Sequence, residues 1–158
     1  MASTDTETSP PFSIAIGDLA AATVVTAPNK VWVDVDTNGT AGVAVYVSSS
    51  NGGLNSPRVS YTIASASGNL TAASEGYGAR GSTATQVSGG PFQIVTPYDG
   101  AGAVVGIVDA ARRIIFESVG QPLTSGRASF ELKAKASAVT RAASDYTDTL
   151  TVIASATF

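Results

Sequence analysis

The side chains that do most nucleophilic and acid–base chemistry are missing from this sequence. It has no Cys and no His. That excludes Cys or His as nucleophile or base, zinc sites of the usual Cys/His kind and any disulfide framework. Carboxylates, hydroxyls, amides and aromatics remain. The densest oxygen cluster is Asp34-Val35-Asp36-Thr37-Asn38-Gly39-Thr40. Oxygens at alternate positions followed by Gly are what a calcium loop opens with, because hard cations take carboxylate and amide oxygens. Asp34, Asp36 and Asn38 are therefore the calcium candidates. The twelfth position of such a loop needs a bidentate Glu and is Val45 here, and no helix pattern flanks the run. The favoured reading is a β-hairpin in which the Asn38-Gly39 turn joins a Val31–Asp36 strand to a Val43–Val47 strand. No other cofactor is implied.

Other constellations carry less chemistry. Asp34 and Asp36 could serve as a glycosidase pair, but no second acidic motif converges on them, and the chain does not read as an enzyme. Gly76-Tyr77-Gly78-Ala79-Arg80-Gly81 is Gly-rich yet lacks the Lys-Ser/Thr of a phosphate loop, so it reads as a plain loop. Trp32 shares a strand face with Asp34 and Asp36, opposite Val31, Val33 and Val35. Aromatic and acidic groups on one face suit sugar hydroxyls, although a core or subunit contact is the commoner use of such a residue. Two sequons, Asn38-Gly39-Thr40 and Asn69-Leu70-Thr71, put Asn38 and Asn69 in turns where a glycan could be accepted.

The elements that must position these residues are strands. The 158 residues include 26 Ala, 19 Ser, 18 Thr and 16 Gly, together half of the chain, and only 13% are charged, against roughly 25% in an average soluble domain. Apolar residues alternate with small or polar ones in Phe12–Ile16, Val31–Val35, Val43–Val47, Val59–Ile63 and Phe130–Ala136. The longest alternation runs from Tyr146 to Phe158. This period of two marks half-buried strands. Asn51-Gly52-Gly53, Ser67-Gly68-Asn69, Gly89-Gly90-Pro91, Asp99-Gly100 and Ser125-Gly126 read as turns between them. The pattern predicts an all-β fold: a single antiparallel β-sandwich, jelly-roll or Ig-like, of about nine or ten strands. Residues 1–11 form a polar leader ending in two prolines, and 12–158 one domain, with 12–19 as a strand that could be donated.

Nine basic and twelve acidic residues leave a net charge of −3. Nucleic-acid binding normally needs a basic stripe, and none is visible beyond Arg112-Arg113, so no nucleic-acid partner is expected. No apolar run reaches the ~18 residues of a membrane-spanning helix, and no membrane insertion is expected. Met1 is followed by polar residues, not by a secretory signal. Low charge and abundant Ser and Thr nevertheless suit an extracellular surface protein.

The stretch Tyr146-Thr147-Asp148-Thr149-Leu150-Thr151-Val152 resembles the closing strand of secreted bacterial pilin-like and spore-coat-like β-sandwich surface proteins. That resemblance implies a sandwich fold, secretion and assembly into fibres. Phe12, Ile14 and Ile16, with Leu19 behind them, alternate after a Pro-ending leader. An isolated strand of this kind must pair with something. Either it opens its own sandwich or it adds to a neighbour as a donated strand. The expectation is a structural subunit of an extracellular, cell-surface filament, a homopolymer of identical subunits joined by strand exchange. An adhesin or carbohydrate-binding module built on Trp32 is the alternative, and a viral capsid-decoration or tail protein the third.

Overall fold

The structure, a computed structural model, describes residues 12–156. The expected leader and the last two residues, Phe158 among them, lie outside the described residues. The described chain is all β, with no helix. In order it forms β1 (Val24–Thr26), β2 (Val31–Thr37), β3 (Val43–Ser49), β4 (Gly53–Ser56), β5 (Tyr61–Ala64), β6 (Gly68–Asn69), β7 (Gly76–Thr85), β8 (Ser88–Gly89), β9 (Gln93–Ile94), β10 (Val104–Val105), β11 (Arg113–Glu117), β12 (Leu123–Lys135) and β13 (Leu150–Ala156).

The 13-residue strand β12 organises one sheet. On one edge Leu123 to Phe130 pair with β2, and Lys133 to Lys135 pair with β1. The other edge carries β7 and the short β8. A second sheet has the order β13-β3-β11-β9. Every ladder in both sheets is antiparallel. The hairpin β4-β5 and the pair β6-β10 complete the set.

Both sheets feed one hydrophobic cluster. Val45, Val47 and Phe116 enter it from the second sheet, and Tyr77, Ala128, Phe130 and Ala134 from the first. Phe92, Phe116 and Phe130 form an aromatic chain with centroids 5.9 and 6.4 Å apart, tilted rather than stacked, a geometry aromatic quadrupoles favour. The alternation of β12 explains its placement: Ala128, Phe130, Leu132 and Ala134 face the core, while Glu131, Lys133 and Lys135 face the other way. Two antiparallel sheets around one core are compatible with a β-sandwich.

Three readings of the sequence need correction. Gly76–Gly81 is not a loop but half of β7, the long partner of β12. Its glycines are there for close approach, not for turning. A Cβ at Gly78 would lie 2.7 Å from the Gly106 carbonyl oxygen, and one at Gly81 2.4 Å from Ile94. Composition alone cannot tell a strand that must lie flush against neighbours from a loop.

The Asn38-Gly39 turn does not close a hairpin either. β2 belongs to the first sheet and β3 to the second, so residues 38–42 cross between sheets. β12 takes one edge of β2. Gly42, at φ +79°, packs where a Cβ would meet Ser118 Oγ at 2.3 Å, and the Val43 N–H donates to that same hydroxyl at 2.9 Å. Finally, of the two alternatives for Phe12–Leu19, the opening strand of its own sandwich is not formed among the described residues. Its alternation survives as side-chain contact only: Ile14, Ile16 and Leu19 pack against the core, half-buried. A strand needs a partner's backbone, and this segment joins no ladder among the described residues.

The β7 side of the molecule is sealed by backbone bonds. The Gly81 N–H donates to the Tyr98 carbonyl at 2.8 Å, and Ala79 and Gly106 exchange bonds of 3.1 and 2.8 Å. Replacing Gly81 by Val should therefore force Ile94 and β9 outward. Overpacking of this kind costs about 1–3 kcal/mol, so thermal unfolding monitored by circular dichroism should drop by several degrees. Thr85→Val, at an exposed position of the same strand, serves as the control. An unchanged melting temperature for Gly81→Val would contradict the close approach.

Candidate functional site

Opposite the sealed side, the two sheets leave an opening. Among the described residues β2 pairs only with β12, and β13 only with β3. Each therefore presents one edge with no strand on it. Between these edges lies a cleft of about 960 Å³. Val31, Trp32 and Val33 of β2 form one wall and Tyr146 to Leu150 with Val152 the other. Leu54, Tyr77 and Leu132 reach it from the core, and Phe12 to Ile16 run along it. The cleft thus gathers the N-terminal segment, the Trp32 strand and the closing strand, three stretches the sequence marked separately.

The closing alternation accounts for its second wall. Tyr146, Asp148, Leu150 and Val152 are half-buried, and Thr147, Thr149 and Thr151 are exposed. One residue of the inward row is out of character. Asp148 puts a carboxylate where its neighbours in the row carry apolar side chains or a ring. Its Oδ1 accepts from Ser49 Oγ at 2.8 Å, from the Asn51 N–H at 3.3 Å and from the Thr149 N–H at 2.8 Å. Its Oδ2 is buried with no hydrogen-bond partner among the described residues. Burial raises the pKa of the neighbouring Tyr77 hydroxyl well above the usual tyrosine value, and the negative Asp148 adds to the effect.

Trp32 holds the second orphan. Its Nε1 is buried and has no partner among the described residues. Its ring is half-buried, and the Arg127 guanidinium sits 4.7 Å from the ring centroid, a cation–π contact. Arg127 in turn bonds Asp34 at 3.1 Å. This stack covers one face of the ring.

The remaining sequence candidates do not converge. Asp34 is committed to Arg127, and Asp36 accepts the Ser125 N–H. Asn38 lies exposed in the crossing segment, and among the described residues no three carboxylates gather as a metal cluster. Asn69 is exposed in β6, with its Oδ1 accepting the Thr71 N–H at 2.9 Å. Sequence reasoning missed Asp148 and Tyr77 as lining residues. The available signal was a carboxylate at an inward position of an otherwise apolar row.

Two further polar clusters are structural. Glu131 pairs with Lys133 at 2.9 Å and Arg80 at 3.1 Å on the outer face of β12. Glu75 accepts from Tyr61 Oη at 2.7 Å and from Ser137 Oγ at 3.2 Å, and also from Thr140 Oγ1. No family model matches the chain, and neither a curated protein nor a solved structure matches it.

These clusters set an acid limit. Burial pushes the Glu131 pKa up, but the Lys133 and Arg80 cations outweigh it and hold the carboxyl below its ordinary 4.5. At Glu75, burial is likewise outweighed by the donated hydroxyls, Thr140 and Tyr61 foremost. A carboxyl whose folded pKa is depressed stabilises the fold above the unfolded value, and loses that contribution as pH falls through the folded one. Unfolding midpoints in urea should therefore hold steady above the ordinary glutamate range and decline below it. Glu131→Gln should flatten part of that decline. An equally steep acid limb in the variant would contradict the assignment.

Proposed function

We propose that this protein is a structural subunit of an extracellular, cell-surface filament: a β-sandwich open between β2 and β13 and completed by a strand from an identical subunit. The observation that carries this reading is the cleft itself. Among the described residues, two strand edges with no strand on them flank a path into the core, and the side chains of Phe12, Ile14 and Ile16 line it. Unpaired edges of this kind invite strand addition.

The dimensions agree. β13 spans seven residues, about 23 Å at ~3.3 Å per residue, and the eight residues from Phe12 to Leu19 extend to about 26 Å. In this reading Phe12, Ile14 and Ile16, with Leu19 behind them, leave the parent subunit and enter the cleft of the next. Gly17, at φ +93°, supplies the pivot, a backbone geometry that side-chain-bearing residues resist. Phe12 has the most to gain. It is 67% exposed in its own chain, and full burial of such a side chain is worth about 1.5–3 kcal/mol. Donor and acceptor are different surfaces, so the contact is head-to-tail and propagates. The Arg127 stack over Trp32 speaks against a sugar platform as the main role.

The test is assembly. Ile14→Asp/Ile16→Asp leaves the sheets untouched and places charges on the donated row. The variant should keep its circular dichroism spectrum but elute as a monomer, without filaments by negative-stain electron microscopy. Filaments of normal length from the double variant would overturn the proposal.

A further inference from the structure

Resting on that reading, we infer that the cleft recognises its strand through a polar anchor. Asp148 Oδ2 takes a hydrogen bond from the incoming peptide, and Trp32 Nε1 gives one to it. Both atoms are buried in residues that line the cleft, and neither has a partner among the described residues. A buried donor and a buried acceptor left open in one cleft have given up water and gained nothing in exchange. An occupant carrying both an acceptor and a donor would satisfy them together.

Both groups are held in place before any ligand arrives. The three donors on Asp148 Oδ1 fix the carboxylate plane and leave Oδ2 as its open acceptor. Arg127, itself tied to Asp34, stacks on the indole and fixes the direction of Nε1. Such preorganisation favours specific capture. An extended peptide is the occupant that fits. Its backbone offers N–H and C=O groups in alternation, and the unpaired edges of β2 and β13 take up the rest of its ladder. A hydrocarbon chain could fill the apolar part of the cleft but would leave both atoms open. The anchor therefore makes the cleft a peptide site and fixes the register of the strand within it.

The test uses the full-length Ile14→Asp/Ile16→Asp chain, which cannot seat its own donor row. A fluorescein-labelled synthetic peptide of residues 8–19 is titrated against it by fluorescence anisotropy. Saturable binding is expected. Adding Asp148→Asn keeps an oxygen for the three internal donors and turns the open acceptor into a donor, so it should weaken binding at least tenfold. Trp32→Phe keeps an aromatic ring under Arg127 and removes the N–H, and should weaken binding severalfold. Circular dichroism confirms that each variant is folded, and either folded variant suffices. Unchanged affinity in a folded variant overturns the anchor while leaving strand capture intact. Absence of saturable binding to the parent chain overturns strand capture, and the anchor with it. Laurate displacing the peptide with equal affinity from the parent chain and from Asp148→Asn would also overturn the anchor.

Discussion

The backbone of β12 is paired along both edges, and the rest of the molecule follows from that constraint. One strand of 13 residues receives β1 and β2 on one side and β7 and β8 on the other. The chain after β2 leaves that sheet, and β3 finds its partners in the other one. The second sheet then forms from β3, β11, β13 and β9. The long strand also brings two kinds of sequence together. Its inward row of Ala128, Phe130, Leu132 and Ala134 builds the core. Its outward Glu131, Lys133 and Lys135 are satisfied by Arg80, by Thr26 and by the Thr71 and Ala73 carbonyls.

Asymmetry between the two sides of the molecule gives the proposed function its physical basis. On the β7 side, glycines let backbone meet backbone, and the gap is closed by hydrogen bonds to residues 98 and 106. On the β2 and β13 side no strand joins the two edges among the described residues, and a cleft lies between them. Composition fits this picture. Half of the residues are Ala, Ser, Thr or Gly, so the core has few large side chains, and a bulky strand added by a neighbour would contribute much of what the proposed sandwich lacks.

The sequence was informative where period two was clean. The inward rows of β3 and β12 and the closing alternation from Tyr146 to Val152 appear in the structure with the expected faces, whereas Ala154 and Ala156 are exposed and Ile153 is half-buried. The all-β class follows from the same signal. Three features were hidden for a common reason: they depend on partners distant in sequence. β7 looked like a loop because its glycines answer to Val105, Gly106 and Ile94. The Asn38-Gly39 turn has the local chemistry of a hairpin, yet the strand that follows it pairs with β11 and β13 in the other sheet. Phe12–Ile16 has a strand's pattern but joins no ladder among the described residues. The cleft was half legible: Trp32, Ile14 and Ile16 stood out, whereas Asp148 was disguised within a closing strand of ordinary appearance.

The central claim is that β2 and β13 carry edges which a neighbouring subunit's segment completes. Hydrogen–deuterium exchange of backbone amides, read by mass spectrometry on monomer and on assembled material, measures this directly. The account predicts that peptides covering Val31–Thr37 and Leu150–Ala156 exchange readily in the monomer and become protected on assembly. Phe12–Leu19 should gain protection with them, while β7 and β12 stay unchanged. Equal exchange of all three segments in monomer and assembly, with protection arising elsewhere, would contradict it.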